Sequence, residues 1–181
     1  LGQLARFLRA AGQKRPAGGV PRYRLSLGVR AVGLRGDTLC GDCGTSFQCG
    51  VTQYVLLCDG MGTGSGAQSD AQEAISVLQS LLTLGFDAMD AAAMLNELYV
   101  LRGDGCFSTV DLLEMDLCTG EGALYKWGAA PSYLKKGGTV KKIGTASPPP
   151  GLGVGEEHRA ERVGLLSLIH ISEPTRPEPI S

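Results

Sequence analysis

The stretch QYVLLCDGMGTGSG, Gln53 to Gly66, constrains the fold more than any other part of this sequence. From Gln53 to Cys58 the residues carry no charge and mix Tyr, Val and Leu, the make-up of a buried strand. Asp59 follows at the strand's exit, and Gly60, Gly62, Gly64 and Gly66 recur at every second position after it. A carboxylate at the junction of a stiff strand and a loop is held from one side and open to ligand from the other, as metal and phosphate sites require. Glycine has no Cβ and tolerates positive φ, so the backbone there can approach a ligand closely.

The whole chain has 181 residues, 43% of them hydrophobic, and a formal charge of -1, which fits one globular domain with a real core. So small a net charge creates no field for a polyanion, and the basic clusters at Arg6 to Arg15 and Lys135 to Lys142 read as solvated faces. No nucleic-acid partner is expected. No apolar run approaches the roughly 20 residues that span a bilayer, and no signal peptide heads the chain, so the expectation is a cytoplasmic segment without membrane contact. Of the cysteines, Cys40 and Cys43 form one C-x-x-C, but Cys49 and Cys58 are too far apart to supply the second pair of a zinc site. Reduced thiols packed as small hydrophobes are the expectation.

Leu4, Phe7, Leu8 and Ala11 fall at helical spacing, and Pro16 to Pro21 reads as a linker, so residues 1–21 are expected to be the end of an upstream region. The domain then runs over residues 22–165. Arg22 to Val32 alternates like a half-buried strand, and Asp42 with its glycines leads into Phe47 to Cys58, a hairpin partner and the central strand. Ala67 to Leu84 carries an apolar stripe and stops at Gly85; Asp87 can cap a second helix to Leu101, with Ala91, Leu95 and Leu98 on its buried side. Phe107 to Leu117, Ala123 to Trp127, Ser132 to Leu134 and Val140 to Ile143 form a meander. Strands gathered around a helical hairpin give the α+β class with antiparallel sheet. Leu166 to Arg176, LSLIHISEPTR, resembles the translation of a transposase adaptor used in DNA sequencing libraries, so residues 166–181 are set aside as non-native and His170 carries no weight.

Two patterns compete for the glycine loop. Gly62, Gly64 and Ala67 match the G-x-G-x-x-A dinucleotide fingerprint, which would make this a dinucleotide-binding protein. That fold needs a helix returning to a parallel strand, whereas a second helix follows here, and it gives Asp59 no role. The alternative pairs Gly41-Asp42 with Asp59-Gly60. Acids 17 residues apart on either side of a hairpin can meet at adjacent strand ends and share hard divalent cations.

The segments CGDCGTSF, LLCDGMGTG, the helix pair, FSTVDLLEMDL, LYKWGAAPSYLKKGG and PPPGLGVG resemble, in that order, the phosphatase domain of the stage II sporulation protein E family. That domain belongs to the metal-dependent type 2C protein phosphatases, and the resemblance covers roughly Arg22 to Val163. It implies an α-β-β-α sandwich, here incomplete, and a metal-dependent serine/threonine phosphatase. It implies that Asp42 and Asp59 ligate manganese or magnesium in a two-metal site, with the Gly60 carbonyl helping. It also implies a phosphorylated anti-sigma-factor antagonist as substrate, the helix pair of residues 67–101 as a switch, and relatives that can be anchored to membrane by an upstream region; a homodimer through that helix pair is a separate expectation. Later metal-binding aspartates of the family lie beyond the segment matching PPPGLGVG, so this chain is expected to bind metal weakly and to be inactive by itself. A non-catalytic binding module of the same fold is the alternative.

Three further residues stand out. Asp111 is the one charge on the face Phe107, Thr109, Asp111, Leu113, Met115, Leu117, and must either orient the metal ligands or hydrogen-bond a neighbouring loop. Cys58 beside Asp59 reads as packing, because metal-activated water needs no covalent nucleophile. His158 in GEEHRAER reads as a surface residue.

Overall fold

The computed structural model describes residues 19–29, 41–62, 64–136, 138–144 and 147–153, with the backbone alone at 161–164 and 168–170. Strands β1 (Asp42–Cys49) and β2 (Thr52–Gly60) form a hairpin through Gly50, whose φ of 59° is the left-handed value glycine allows there. Helices α1 (Ser65–Thr83) and α2 (Ala88–Arg102) follow, then β3 (Ser108–Asp116), β4 (Glu121–Trp127), β5 (Ser132–Lys136), β6 (Thr139–Ile143), β7 (Glu161–Gly164) and β8 (Leu168–His170). One sheet runs β1-β2-β3-β4-β7 and the other β6-β5-β8, and every pairing is antiparallel. The α+β class is therefore as expected. The middle strand of the larger sheet is β3, not β2.

The two helices end as their sequences dictate. At the end of α1, Gly85 N–H bonds Leu82 O at 3.1 Å and Phe86 N–H bonds Leu81 O at 3.1 Å, with Gly85 at φ 90° and Phe86 buried. This is the paired 5→2 and 6→1 closure that needs a left-handed residue after the helix. Asp87 then caps α2 by accepting the Asp90 N–H at 2.8 Å. Ala71, Ala74, Leu78 and Leu82 of α1 pack with Ala88, Ala91, Ala92, Leu95 and Tyr99 of α2 over Tyr54, Leu56, Cys58, Val110 and Leu112 of the sheet. A smaller cluster of Leu113, Met115, Leu124 and Ile143, with Val55 and Leu134 against it, lies on the sheet's other face, towards β5 and β6.

One strand expected from the sequence does not form. Residues 22–29 are almost wholly exposed and belong to no ladder; Arg22 and Tyr23 only donate their N–H groups to Leu117 O, at 2.8 and 3.0 Å. Alternation supplies a face, but a strand also needs a neighbour to hydrogen-bond along its length. The rest of that segment, the helix of residues 1–15, Cys40 and His158 lie outside the described residues. The backbone of β8, within the adaptor-like tail, pairs with β5 at Lys135↔Leu168.

Candidate metal centre

Asp42 and Asp59 face each other across the β1–β2 ladder. The adjoining rung, Gly41 with Gly60, carries the Gly60 N–H to Gly41 O hydrogen bond at 3.5 Å. Rungs alternate in an antiparallel ladder, so the Asp42–Asp59 rung is the non-hydrogen-bonded kind, where Cα atoms approach to about 4.5 Å and side chains are closest. Two half-buried carboxylates on one rung are oxygen ligands of the kind a hard divalent cation takes.

The glycines around them have separate duties. A Cβ on Gly60 would overlap the Ala67 carbonyl, because α1 begins directly against the end of β2. A Cβ on Gly41 would lie 3.2 Å from Ala67 Cβ and 3.6 Å from Asp59 Oδ1. Gly62 and Gly64 have open space but positive φ, 95° and 78°. Gly66 is helical with free space around it, so the alternation of glycines has no single cause.

Thr109 of β3 stands opposite Asp59, and its buried Oγ1 has no hydrogen-bond partner. Among the described residues no group of three or more His, Cys, Asp and Glu side chains converges as a metal site. What is present nonetheless fits a hard cation: two carboxylates on one rung, a glycyl carbonyl beside them and an unsatisfied hydroxyl, all oxygen donors.

Asp111 has a different partner from either one expected. It is 2% exposed and pairs with the ammonium of Lys126, 4% exposed, directly opposite it on β4. Lys126 Nζ also donates to Ser132 Oγ at 2.9 Å, at the start of the second sheet. Burial pushes the Asp111 carboxyl above the usual carboxylate range, and Lys126 opposes this. The readable signal was Lys126 itself, a lysine between Tyr125 and Trp127 in a strand; only the β3–β4 register reveals what it meets.

On the helix side, Tyr99 OH hydrogen-bonds Ser108 Oγ at 2.8 Å and donates to Asp70 O at 3.3 Å, and Ser108 is the residue opposite Gly60. Arg102 closes the open end of the helix pair on Asp70 at 3.4 Å, Asp104 at 2.8 Å and Glu73. The Cys106 thiol bonds Asp70 Oδ2 at 3.1 Å and is pushed up to about 11, chiefly by that bond. Cys58 is fully buried in the core. Asn96 of α2 accepts the N–H groups of Gly151 and Gly153, at 2.9 and 3.2 Å, and so fixes the loop that follows β6.

The dinucleotide fingerprint does lie between β2 and α1, but both neighbours of β2 are antiparallel and α1 leads into α2. The crossover which that fingerprint requires is not made there.

The family model for stage II sporulation protein E matches residues 51–165. The protein of that name from Bacillus subtilis (strain 168) is 31% identical over 137 residues, 75% of this chain and 17% of its own length. Its namesake from Priestia megaterium is 31% identical over 132 residues, 72% of this chain and 23% of its own length. The chain thus spans less than a quarter of these curated relatives. The solved PP2C phosphatase domain of the Bacillus subtilis protein, with a fragment of its regulatory domain, superposes with a TM-score of 0.73 at 28% identity, covering 81% of this chain and 44% of that one. The RsbU and RsbW domains of a Mycobacterium tuberculosis protein share the fold, with a TM-score of 0.66 at 18% identity over 76% of this chain and 40% of that one.

Proposed function

Because the chain belongs to the stage II sporulation protein E family, we propose that it forms part of a metal-dependent protein serine/threonine phosphatase, with Asp42, Asp59 and the Gly60 carbonyl as its share of the metal ligands. The observation that carries this is the Asp42–Asp59 rung. Manganese or magnesium ions in such a site supply positive charge at the phosphoryl oxygens and a water of lowered pKa. The chain's own part is to hold two carboxylates on one stiff rung and to bring the backbone at Gly60 against α1, so that the ligands are placed before substrate arrives. No side-chain nucleophile is used, which suits a Cys58 thiol sealed in the core.

The substrate proposed is a phosphorylated anti-sigma-factor antagonist, in keeping with the family and with one structural neighbour that carries RsbU and RsbW domains. The α1–α2 pair, which abuts Gly60 and leaves Leu84, Val100 and Leu101 exposed, is proposed as the switch and the surface of a homodimer. Among the described residues no helix is long and apolar enough to cross a membrane.

The test is a manganese titration of this chain beside its Asp42→Asn and Asp59→Asn variants, followed by phosphopeptide turnover. Each substitution is expected to weaken manganese binding by more than about tenfold, since each removes a charged ligand. Unchanged affinity in both variants would sink the metal reading. Turnover by the unaltered 181-residue chain is expected to be slight; robust turnover would show that its own acids suffice. A non-catalytic module of the same fold is favoured by one fact, that among the described residues no third metal-binding side chain joins the pair. Manganese binding without turnover on any phosphoprotein by a chain extended to the length of its relatives would select it.

A further inference from the structure

Asp42, Asp59 and Thr109 lie in one row across β1, β2 and β3, each directly opposite the next. Residues so placed project to the same face of a sheet. The row therefore holds two carboxylates and a hydroxyl, and the hydroxyl is buried without a partner. A buried unpaired hydroxyl costs stability, and valine would fill the same space in a strand without that cost. In a native protein such an atom calls for a physical cause, and a place beside an ion or its water is one of the few.

We propose that Thr109 is a positioning residue of the cation site, its hydroxyl hydrogen-bonding the water shell of the divalent ion held by Asp42 and Asp59. The inference rests on the metal reading above and adds to it a residue that neither charge nor glycine spacing could reveal. Magnesium-like ions dehydrate reluctantly and keep several waters. A neutral donor–acceptor beside two carboxylates can hold such a water in place, where a third carboxylate would add repulsion. The hydroxyl thus lowers the stability of the metal-free protein and raises its affinity for the ion.

Three variants separate this from a purely structural role: Thr109→Val, Thr109→Ser and Asp59→Asn. Manganese affinity is read from the electron paramagnetic resonance of the free ion, and the melting temperature is taken without metal. Thr109→Val is expected to bind manganese about tenfold more weakly. Its metal-free melting temperature should rise by about 2–4 °C, as an unpaired buried hydroxyl is removed. Thr109→Ser, which keeps the oxygen, should bind as the unaltered chain does. If Thr109→Val binds normally while Asp59→Asn does not, the acid pair stands and the role of Thr109 is refuted. A fall in both affinity and metal-free melting temperature in Thr109→Val, or failure of the serine variant to restore binding, shows a hydroxyl that serves the fold and also overturns the proposal. Normal binding by Asp59→Asn removes the site itself, and this inference with it.

Discussion

Tyr99 sits where α2, α1 and β3 meet, 1% exposed, its hydroxyl shared with Ser108 Oγ and directed to the Asp70 carbonyl. Burial pushes its phenol up to about 12; the Ser108 hydrogen bond pulls it down, and nearby Cys58, Asp70 and Glu73 push it further up. In the unfolded chain the same phenol titrates near 10. Between those values the native state holds a proton that the unfolded state has lost, so stability falls as pH rises. The contribution is complete below pH 10 and gone by about 12, and is worth roughly 2–3 kcal/mol. Urea unfolding from pH 8 to 12 should show this limb in the unaltered chain, and the difference from Tyr99→Phe isolates it from the other titrating groups. Parallel curves for the two proteins would rule it out. The stripe Ala91, Leu95, Leu98 read from the sequence misses Tyr99 by one position: Leu98 is only half-buried, and the buried line runs Ala88, Ala91, Ala92, Leu95, Tyr99. A 3.6-residue period fixes a face to within one residue, and packing against α1 decides the rest.

Among elements, the junction of β2 with α1 is the least forgiving. Gly60 has no room for a Cβ because the Ala67 carbonyl occupies the place, whereas Gly62, two residues on, has room but a φ of 95°. Gly60→Ala must therefore push α1 off the strand end, at a cost of about 1–3 kcal/mol or more. Gly62→Ala incurs only backbone strain, about 1 kcal/mol. Melting curves of the two variants should rank them in that order, and manganese affinity should fall in the first much more than in the second. Equal effects would mean that the glycines serve loop conformation alone. The strand, the loop and both helices were legible because each has a local cause: an uncharged apolar run, glycines, a capping Asp87 and a stop at Gly85. The strand expected from Arg22 was not, since alternation says nothing about whether a neighbouring edge is there to pair with.

Across the whole molecule, two sheets must be held in one alignment, and Lys126 does this by reaching from β4 to Asp111 on β3 and to Ser132 at the head of β5. Lys126→Met leaves a buried carboxylate unpaired and should destabilise by about 3–5 kcal/mol. Its deficit should grow as pH rises from 4 to 7: with Asp111 held above its ordinary value by burial, the native state keeps a proton that the unfolded chain releases. The double variant Asp111→Leu/Lys126→Met should recover most of that loss, as apolar replacements of buried ion pairs often do. Urea unfolding at both pH values checks this; a double variant as weak as the single one would show that the pair specifies the fold as well as balancing charge. Asp111 stood out in the sequence as the one charge on its face, but its pairing did not, because a one-residue change in the β3–β4 register would send Lys126 to the other face. The same holds for the Asp42–Asp59–Thr109 row: the two acids were visible at their strand ends, while the hydroxyl became a candidate only when its neighbours were known.

The side-chain oxygen of Asn96 takes two backbone N–H groups, those of Gly151 and Gly153. One amide thus fastens the proline turn that follows β6 to the helix that lies over the larger sheet. A displacement of α2 cannot stay local: it either carries that turn along or strands two donors at once.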